Sequence, residues 1–180
     1  MNERRLAIFC GAHTGHGSRY IEIAAQVSRR IVERGFGIVY GGGRVGLMGV
    51  IADAALDAGG EVIGVIPEAL ATAEVAHGGL TQLHVVSSMH ERKALMADLS
   101  NGFIALPGGY GTMDEFCEIV TWAQLRIHDK PIGLLNHEGY YDELLALFDK
   151  MVAEGFVSLT NRGLVRSATD IDGLLTAMLP

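Results

Sequence analysis

Gly102-Phe103-Ile104-Ala105-Leu106-Pro107-Gly108-Gly109-Tyr110-Gly111-Thr112-Met113-Asp114-Glu115 is the stretch that decides the fold. Its first five residues are a short, mostly apolar run, the pattern of a strand covered on both faces. Pro107 ends the run, and glycines at 108, 109 and 111 let the backbone reach φ > 0 and bare its N–H groups. Thr112 suits a helix cap, with Glu115 three residues later in the capping-box position. A strand, a bare glycine turn and a helix N-terminus make an anion site, most often for phosphate. The same order serves equally as a tight connection with an ordinary cap, so this turn alone leaves both readings open.

Working outward, the same order recurs. Leu6–Cys10 predicts a first strand running into Gly11-Ala12-His13-Thr14-Gly15-His16-Gly17. Ser18 suits the cap of a helix whose apolar stripe is Tyr20, Ile23, Ala24, Val27 and Ile31, and Gly35 stops it. Ile38–Tyr40 predicts a second strand before Gly41-Gly42-Gly43-Arg44-Val45-Gly46-Leu47-Met48-Gly49, whose helix runs to about Leu56. Glu61–Ile66 is a third strand ended by Pro67, and residues 68–81 form an irregular surface excursion. Leu83–Val86 is a fourth strand, and Ser87 or Ser88 opens a helix to about Asp98. After the opening stretch come a strand at Pro131–Leu135 and a helix at Tyr140–Glu154, with Leu144, Leu147, Phe148 and Met151 on one face. A short strand at Leu164-Val165 and a helix capped by Asp170 close the chain. This alternation predicts an α/β fold: one Rossmann-like, doubly wound parallel sheet with helices on both faces, a single domain over residues 1–180.

The net charge of −7 speaks against broad binding of nucleic acid or anionic membranes, which needs a basic face. Any phosphate must then be held locally, by backbone amides and a few arginines. Leu6–Cys10 is too short for a signal-peptide core and no apolar stretch could span a bilayer, so the expected setting is the cytoplasm. Cys10 and Cys117 lack metal spacing and are expected as buried thiols, and the 7 histidines are scattered, so no metal site is assigned.

In a doubly wound sheet, ligands sit at the carboxyl ends of the strands. The glycine turns from Gly11, Gly41 and Gly108 all lie at such ends and share one rim, with Gly41, Gly42, Gly43, Gly46 and Gly108 as phosphate-loop candidates. Gly41, Gly43 and Gly46 also fit the GxGxxG dinucleotide pattern, and Glu61 lies about the right distance on for a ribose-binding acid. Glu61 falls before its strand rather than at its end, which weakens that reading; a mononucleotide phosphate suits the turn equally. Arg92 and Lys93 stand one turn into their helix near this rim, where a guanidinium could take a carboxylate or phosphate. Glu115, at a helix N-terminus across the cleft, could meet Arg92 as nucleophile, base or stabiliser of a cationic transition state. Only Lys93, Lys130 and Lys150 exist, and none stands out as the Schiff-base lysine that pyridoxal phosphate chemistry requires. The helix from Thr112 to Gln124 is apolar nearly all round, which fits a deep core helix or, more sharply, a homodimer interface.

Pro107-Gly108-Gly109-Tyr110-Gly111-Thr112-Met113-Asp114-Glu115 resembles the PGGxGTxxE signature of the cytokinin-activating phosphoribohydrolases, the LONELY GUY family. The Gly41–Gly49 turn, Met89-His90-Glu91-Arg92-Lys93, Thr121-Trp122-Ala123-Gln124-Leu125, His128-Asp129-Lys130-Pro131 and Gly139-Tyr140-Tyr141 match in the same order. The resemblance implies a Rossmann-like homodimer or larger assembly that hydrolyses the N-glycosidic bond of N6-modified adenosine 5′-monophosphates, often AMP itself, without a cofactor. It implies Arg92 and Glu115 as the catalytic pair. It implies Glu74, Arg92, Lys93, Gly109, Tyr110, Gly111, Thr112, Met113, Asp114 and Glu115 as the substrate-binding set. Many relatives carry the label lysine decarboxylase, which the lysine argument disfavours. Asp114 stands where a glutamate is usual, and Gly11-Ala12-His13-Thr14-Gly15 departs from the first turn usual in the family. The rival from another class is a non-catalytic carrier of a nucleotide or of the molybdenum cofactor, built on the same fold.

Overall fold

Runs of four to six residues, apolar in the central strands and mixed at the two edges, pair as parallel strands in the computed structural model, which describes residues 4–71 and 75–179. They are β1 (Arg5–Phe9), β2 (Gly37–Tyr40), β3 (Val62–Pro67), β4 (Gln82–Val86), β5 (Gly102–Ala105), β6 (Ile132–Leu135) and β7 (Val165–Ala168). The sheet has seven strands in the order β4-β3-β2-β1-β5-β6-β7, and every neighbouring pair is parallel. The predicted doubly wound α/β fold is the observed one.

Two apolar layers follow from the alternation of side chains along the strands. Leu6, Ile8, Ile38 and Tyr40 face α1 (Arg19–Glu33), α2 (Gly46–Asp57) and α7 (Ile171–Met178). Ala7, Phe9, Val39 and Phe103 face α3 (Met89–Asp98), α4 (Tyr110–Gln124) and α5 (Asp142–Ala153). A short α6 (Leu159–Arg162), which the sequence pattern does not announce, links α5 to β7. Gly35 ends α1 with φ 77°, as its position implies, and Asp170 caps α7 by accepting from the Gly173 amide at 2.8 Å. Ser88 caps α3, and the Glu91 carboxylate reaches back to the Ser87 amide and hydroxyl at 2.8 and 2.7 Å.

Several local expectations are corrected. α4 starts at Tyr110 with Gly109 as its cap and no side-chain cap bond, so Thr112 lies inside the first turn and Glu115 is no capping-box partner. On α5 it is Leu144, Leu145 and Phe148 that pack inward; Leu147 is 47% exposed, because the packed stripe is centred on 144, 145 and 148 and leaves 147 to its side. Cys117 is exposed on the outer side of α4, whose buried face is Thr112, Glu115, Phe116, Ile119 and Ala123, a single stripe rather than the whole circumference. Leu174 on α7 is fully buried. Leu174→Ala is therefore expected to lower unfolding free energy by about 2–5 kcal/mol, a fall in urea midpoint at unchanged slope. An unchanged midpoint would contradict the packing described.

Candidate active site

The chain leaves β1 and β5 toward opposite faces of the sheet although the two strands are neighbours. That reversal opens a crevice at their carboxyl ends, the place where such folds bind ligands. A cavity of about 620 Å³ occupies it, lined by the turns at Gly11, Gly41 and Gly108 together with Arg92 and Glu115. The three turns and two charged residues singled out in the sequence thus meet in one place.

Arg92 is fixed from three sides. Its Nε donates to the Val65 carbonyl at 3.1 Å, and its Nη1 lies 3.1 Å from Glu115 Oε1. The third constraint is Gly41, where a Cβ would collide with the guanidinium, so this glycine is a matter of space. Glu115 is 8% exposed. Burial raises its pKa above the ordinary carboxylate value; Arg92 and Lys93 oppose the rise, while Asp114 and Glu118 add to it. Cys10, in the same cavity wall, is pushed up strongly by burial and then by the Glu115 charge, so it stays a neutral thiol.

At one end of the cavity α4 presents its N-terminus. Its first N–H groups, those of Tyr110, Gly111 and Thr112, have no partner one turn back in the helix. Gly109 and Gly111 are open to solvent, with nothing within 4 Å of where a Cβ would stand. Backbone donors and the helix dipole together suit an anion here. Met48, Ile66, Leu70 and Val75 give the cavity an apolar part of its wall. The irregular excursion supplies part of that wall and is tied down over the Gly41 turn. Arg44 donates from its amide to the Val75 carbonyl at 2.8 Å, His77 does so to Gly42 at 3.0 Å, and the His77 ring meets Asp53 at 3.0 Å.

Not every candidate faces the cavity. Lys93 Nζ sits 3.1 Å from Asp114 and 3.0 Å from Glu118, tying α3 to α4 outside the cavity wall. Gly42 packs back against Ile66 and Leu83, Gly46 opens α2 against the Ala12 carbonyl at φ 59°, and Met113 packs into the second core layer. Tyr110 stands at the rim, 96% exposed. Glu74 lies outside the described residues. Glu61 is bound to Arg5 at 2.6 Å at the amino-terminal edge of the sheet, which removes it from any ribose at the carboxyl edge. Tyr20 and Tyr140 line the cavity without having been singled out as site residues; the Gly139-Tyr140-Tyr141 match was the one signal pointing to the latter. Among the described residues no group of three or more His, Cys, Asp or Glu could hold a metal, and no helix is long and apolar enough to cross a membrane.

The family profile described as "Possible lysine decarboxylase" matches residues 48–178. A protein of Oryza sativa subsp. japonica named "Probable cytokinin riboside 5'-monophosphate phosphoribohydrolase" is 52% identical over 97% of this chain and 78% of its own length. This chain belongs to the cytokinin riboside 5′-monophosphate phosphoribohydrolase family. A relative of that name from Rhodococcoides fascians is 49% identical over 97% of this chain and 89% of its own. Among solved structures, the molybdenum cofactor carrier protein from Chlamydomonas reinhardtii superposes with TM-score 0.72 at 23% identity, covering 98% of this chain and 96% of that one. At that identity the likeness concerns the fold. The decarboxylase description finds no lysine in the cavity wall: Lys93 is bound to Asp114 and Glu118, and Lys130 Nζ donates to the Ala97 carbonyl at 2.7 Å.

Two outcomes follow from the buried carboxyl. Its pKa is raised in the folded state from a reference value of 4.5, so the folded chain holds the Glu115 proton more tightly than the unfolded chain. The stability this contributes is full below about 4.5 and is lost as pH rises through the folded-state value. Glu115→Gln should therefore lose that part of the pH dependence, measured by urea unfolding across the range; a parallel stability profile would contradict it. Arg92→Gln removes the opposing cation and should raise the Glu115 titration point further, read by carbon NMR of the carboxyl. A downward move would contradict the pairing.

Proposed function

We propose that this chain hydrolyses the N-glycosidic bond of adenosine 5′-monophosphates, N6-modified ones included, releasing the free base and ribose 5-phosphate. The observation that carries the reading is the buried Arg92–Glu115 pair inside a cavity that also holds a bare helix N-terminus. The family names point to the same substrate class.

In the proposed reaction the C1′–N9 bond breaks, a water oxygen bonds to C1′, and a water proton ends on the departing base. Positive charge builds on the ribose as the bond lengthens, and a carboxylate beside it lowers the barrier. Glu115 takes that role, as nucleophile or as the group that orients water. Arg92 holds Glu115 in place, opposes the rise in its pKa that burial causes, and supplies donors to the substrate. The amides of Gly109 to Thr112 take the 5′-phosphate, so binding far from the scissile bond positions it. The apolar wall of Met48, Ile66, Leu70 and Val75 suits an alkylated base. A non-catalytic carrier gains nothing from an anionic carboxylate beside a phosphorylated ligand, which favours the enzyme. A nucleotide substrate supports a cytoplasmic setting.

The chain is further proposed to act as a homodimer through α4, with Tyr110 96%, Leu125 63% and Ile127 63% exposed along or just beyond that helix. Light scattering at micromolar concentration should give twice the chain mass; a monomer would contradict the interface.

Incubation with AMP or isopentenyladenosine monophosphate should release free base, followed by chromatography, while the nucleosides lacking phosphate are cleaved poorly. Glu115→Ala should lower the rate by at least ~10²–10³-fold, the scale of losing one electrostatic stabiliser. No release from any nucleoside monophosphate, with wild type matching Glu115→Ala, would overturn the proposal.

A further inference from the structure

The segment Leu106–Gly108, buried at its first two residues, carries three consecutive carbonyl oxygens immediately before the bare amides of α4, and each is held by a donor from elsewhere. Tyr141 donates its hydroxyl to the Leu106 carbonyl at 2.7 Å. The Gly11 amide donates to the Pro107 carbonyl at 3.3 Å. Tyr140 donates its hydroxyl to the Gly108 carbonyl at 2.7 Å. A carbonyl oxygen carries the negative end of the peptide dipole, so one turned toward a bound anion would repel it. With all three oxygens engaged elsewhere, the cavity end beside Gly109 is left with N–H groups.

The two tyrosines are delivered by a tightly specified corner. Glu138 and Gly139 adopt φ of 50° and 74° in succession, a conformation that is unfavourable for the glutamate. The buried Asn136 holds this corner, accepting from the Tyr141 amide at 2.7 Å and donating to Asp142 at 2.7 Å. Tyr140 packs edge-on against Tyr141 at 4.8 Å and against Tyr20 at 5.7 Å, so its ring has neighbours on two sides. Tyr141 is 3% exposed and sits outside the cavity wall, while Tyr140 is part of it. Burial pushes the Tyr141 hydroxyl well above its ordinary pKa, which keeps it a donor.

We infer that Tyr140 and Tyr141 are positioning residues that hold the Leu106 and Gly108 carbonyls away from the cavity, so that the following amides can take the phosphate of a sugar phosphate. The inference rests on the proposed function for the identity of the anion, a 5′-phosphorylated ribose. It assigns the pair no contact with the bond that breaks. A catalyst works best when its dipoles are already set before the charge arrives, and here the setting is done from outside the turn.

The test is calorimetric binding of ribose 5-phosphate, and separately of adenine, to wild type, Tyr140→Phe and Tyr141→Phe, alongside base release from AMP. Each Phe variant frees one carbonyl to rotate, and affinity for ribose 5-phosphate is expected to fall five- to tenfold, with adenine affinity unchanged. General damage to the fold would weaken both ligands together, and that joint loss would overturn the inference. So would variants that hold ribose 5-phosphate as tightly as wild type, or a wild type that does not bind it. Tyr140→Phe, at the more exposed position, keeps the test valid should Tyr141→Phe fail to fold. A wild type that binds ribose 5-phosphate with the tyrosine dependence described, yet releases no base, would sink the proposed function and leave this inference standing.

Discussion

The ion pair between Arg92 and Glu115 is the constraint around which the cavity is arranged. A buried pair of this kind adds little net stability, because removing both charges from water costs about as much as their attraction returns. What it supplies is position. Arg92 reaches Glu115 only because Gly41 leaves room and the Val65 carbonyl holds Nε, so a β2 turn, the β3 strand, α3 and α4 are locked to one geometry. Losing either partner would strand the other charge in the interior, at a cost of about 3–5 kcal/mol. The tension between burial and Arg92 also leaves Glu115 with a raised pKa.

A second set of charges lies back to back with the first. Consecutive helical residues point about 100° apart, so Arg92 turns into the cavity while Lys93 turns to the outer seam. There Lys93 bridges Asp114 and Glu118, the acids on either side of Glu115 along α4. The two pairings fasten α3 to α4 at one level of the fold, one from inside and one from outside. The cavity-facing and seam-facing cations are thereby separated by a single step along the helix, a distinction that residue type alone does not carry.

The fold was legible because its signals are local. Apolar runs of strand length, glycines at the strand ends and caps such as Ser88 and Asp170 each act within a few residues. The convergence of the Gly11, Gly41 and Gly108 turns was legible as well, since in a parallel sheet all such turns share one rim. Three things were hidden. Thr112 has the chemistry of a cap, but the helix starts earlier, at Tyr110, with Gly109 in the cap position and no side-chain cap bond. The direction in which Lys93 and Asp114 point depends on the rotation of two helices, which tertiary packing decides. The roles of Tyr140 and Tyr141 rest on hydroxyls reaching back across 32 and 35 residues to carbonyls of another turn. No periodicity encodes such a contact.

In the proposed function a phosphorylated ribose lies between the α4 N-terminus and Glu115. The most direct measurement is a crystal structure of the Glu115→Gln variant with AMP bound, since this change keeps the shape of the side chain while removing its charge. The expected result is the 5′-phosphate on the amides of Gly109 to Thr112, C1′ beside position 115, and the base along the wall of Met48 and Val75. A phosphate seated elsewhere, or a C1′ turned away from position 115, would contradict it.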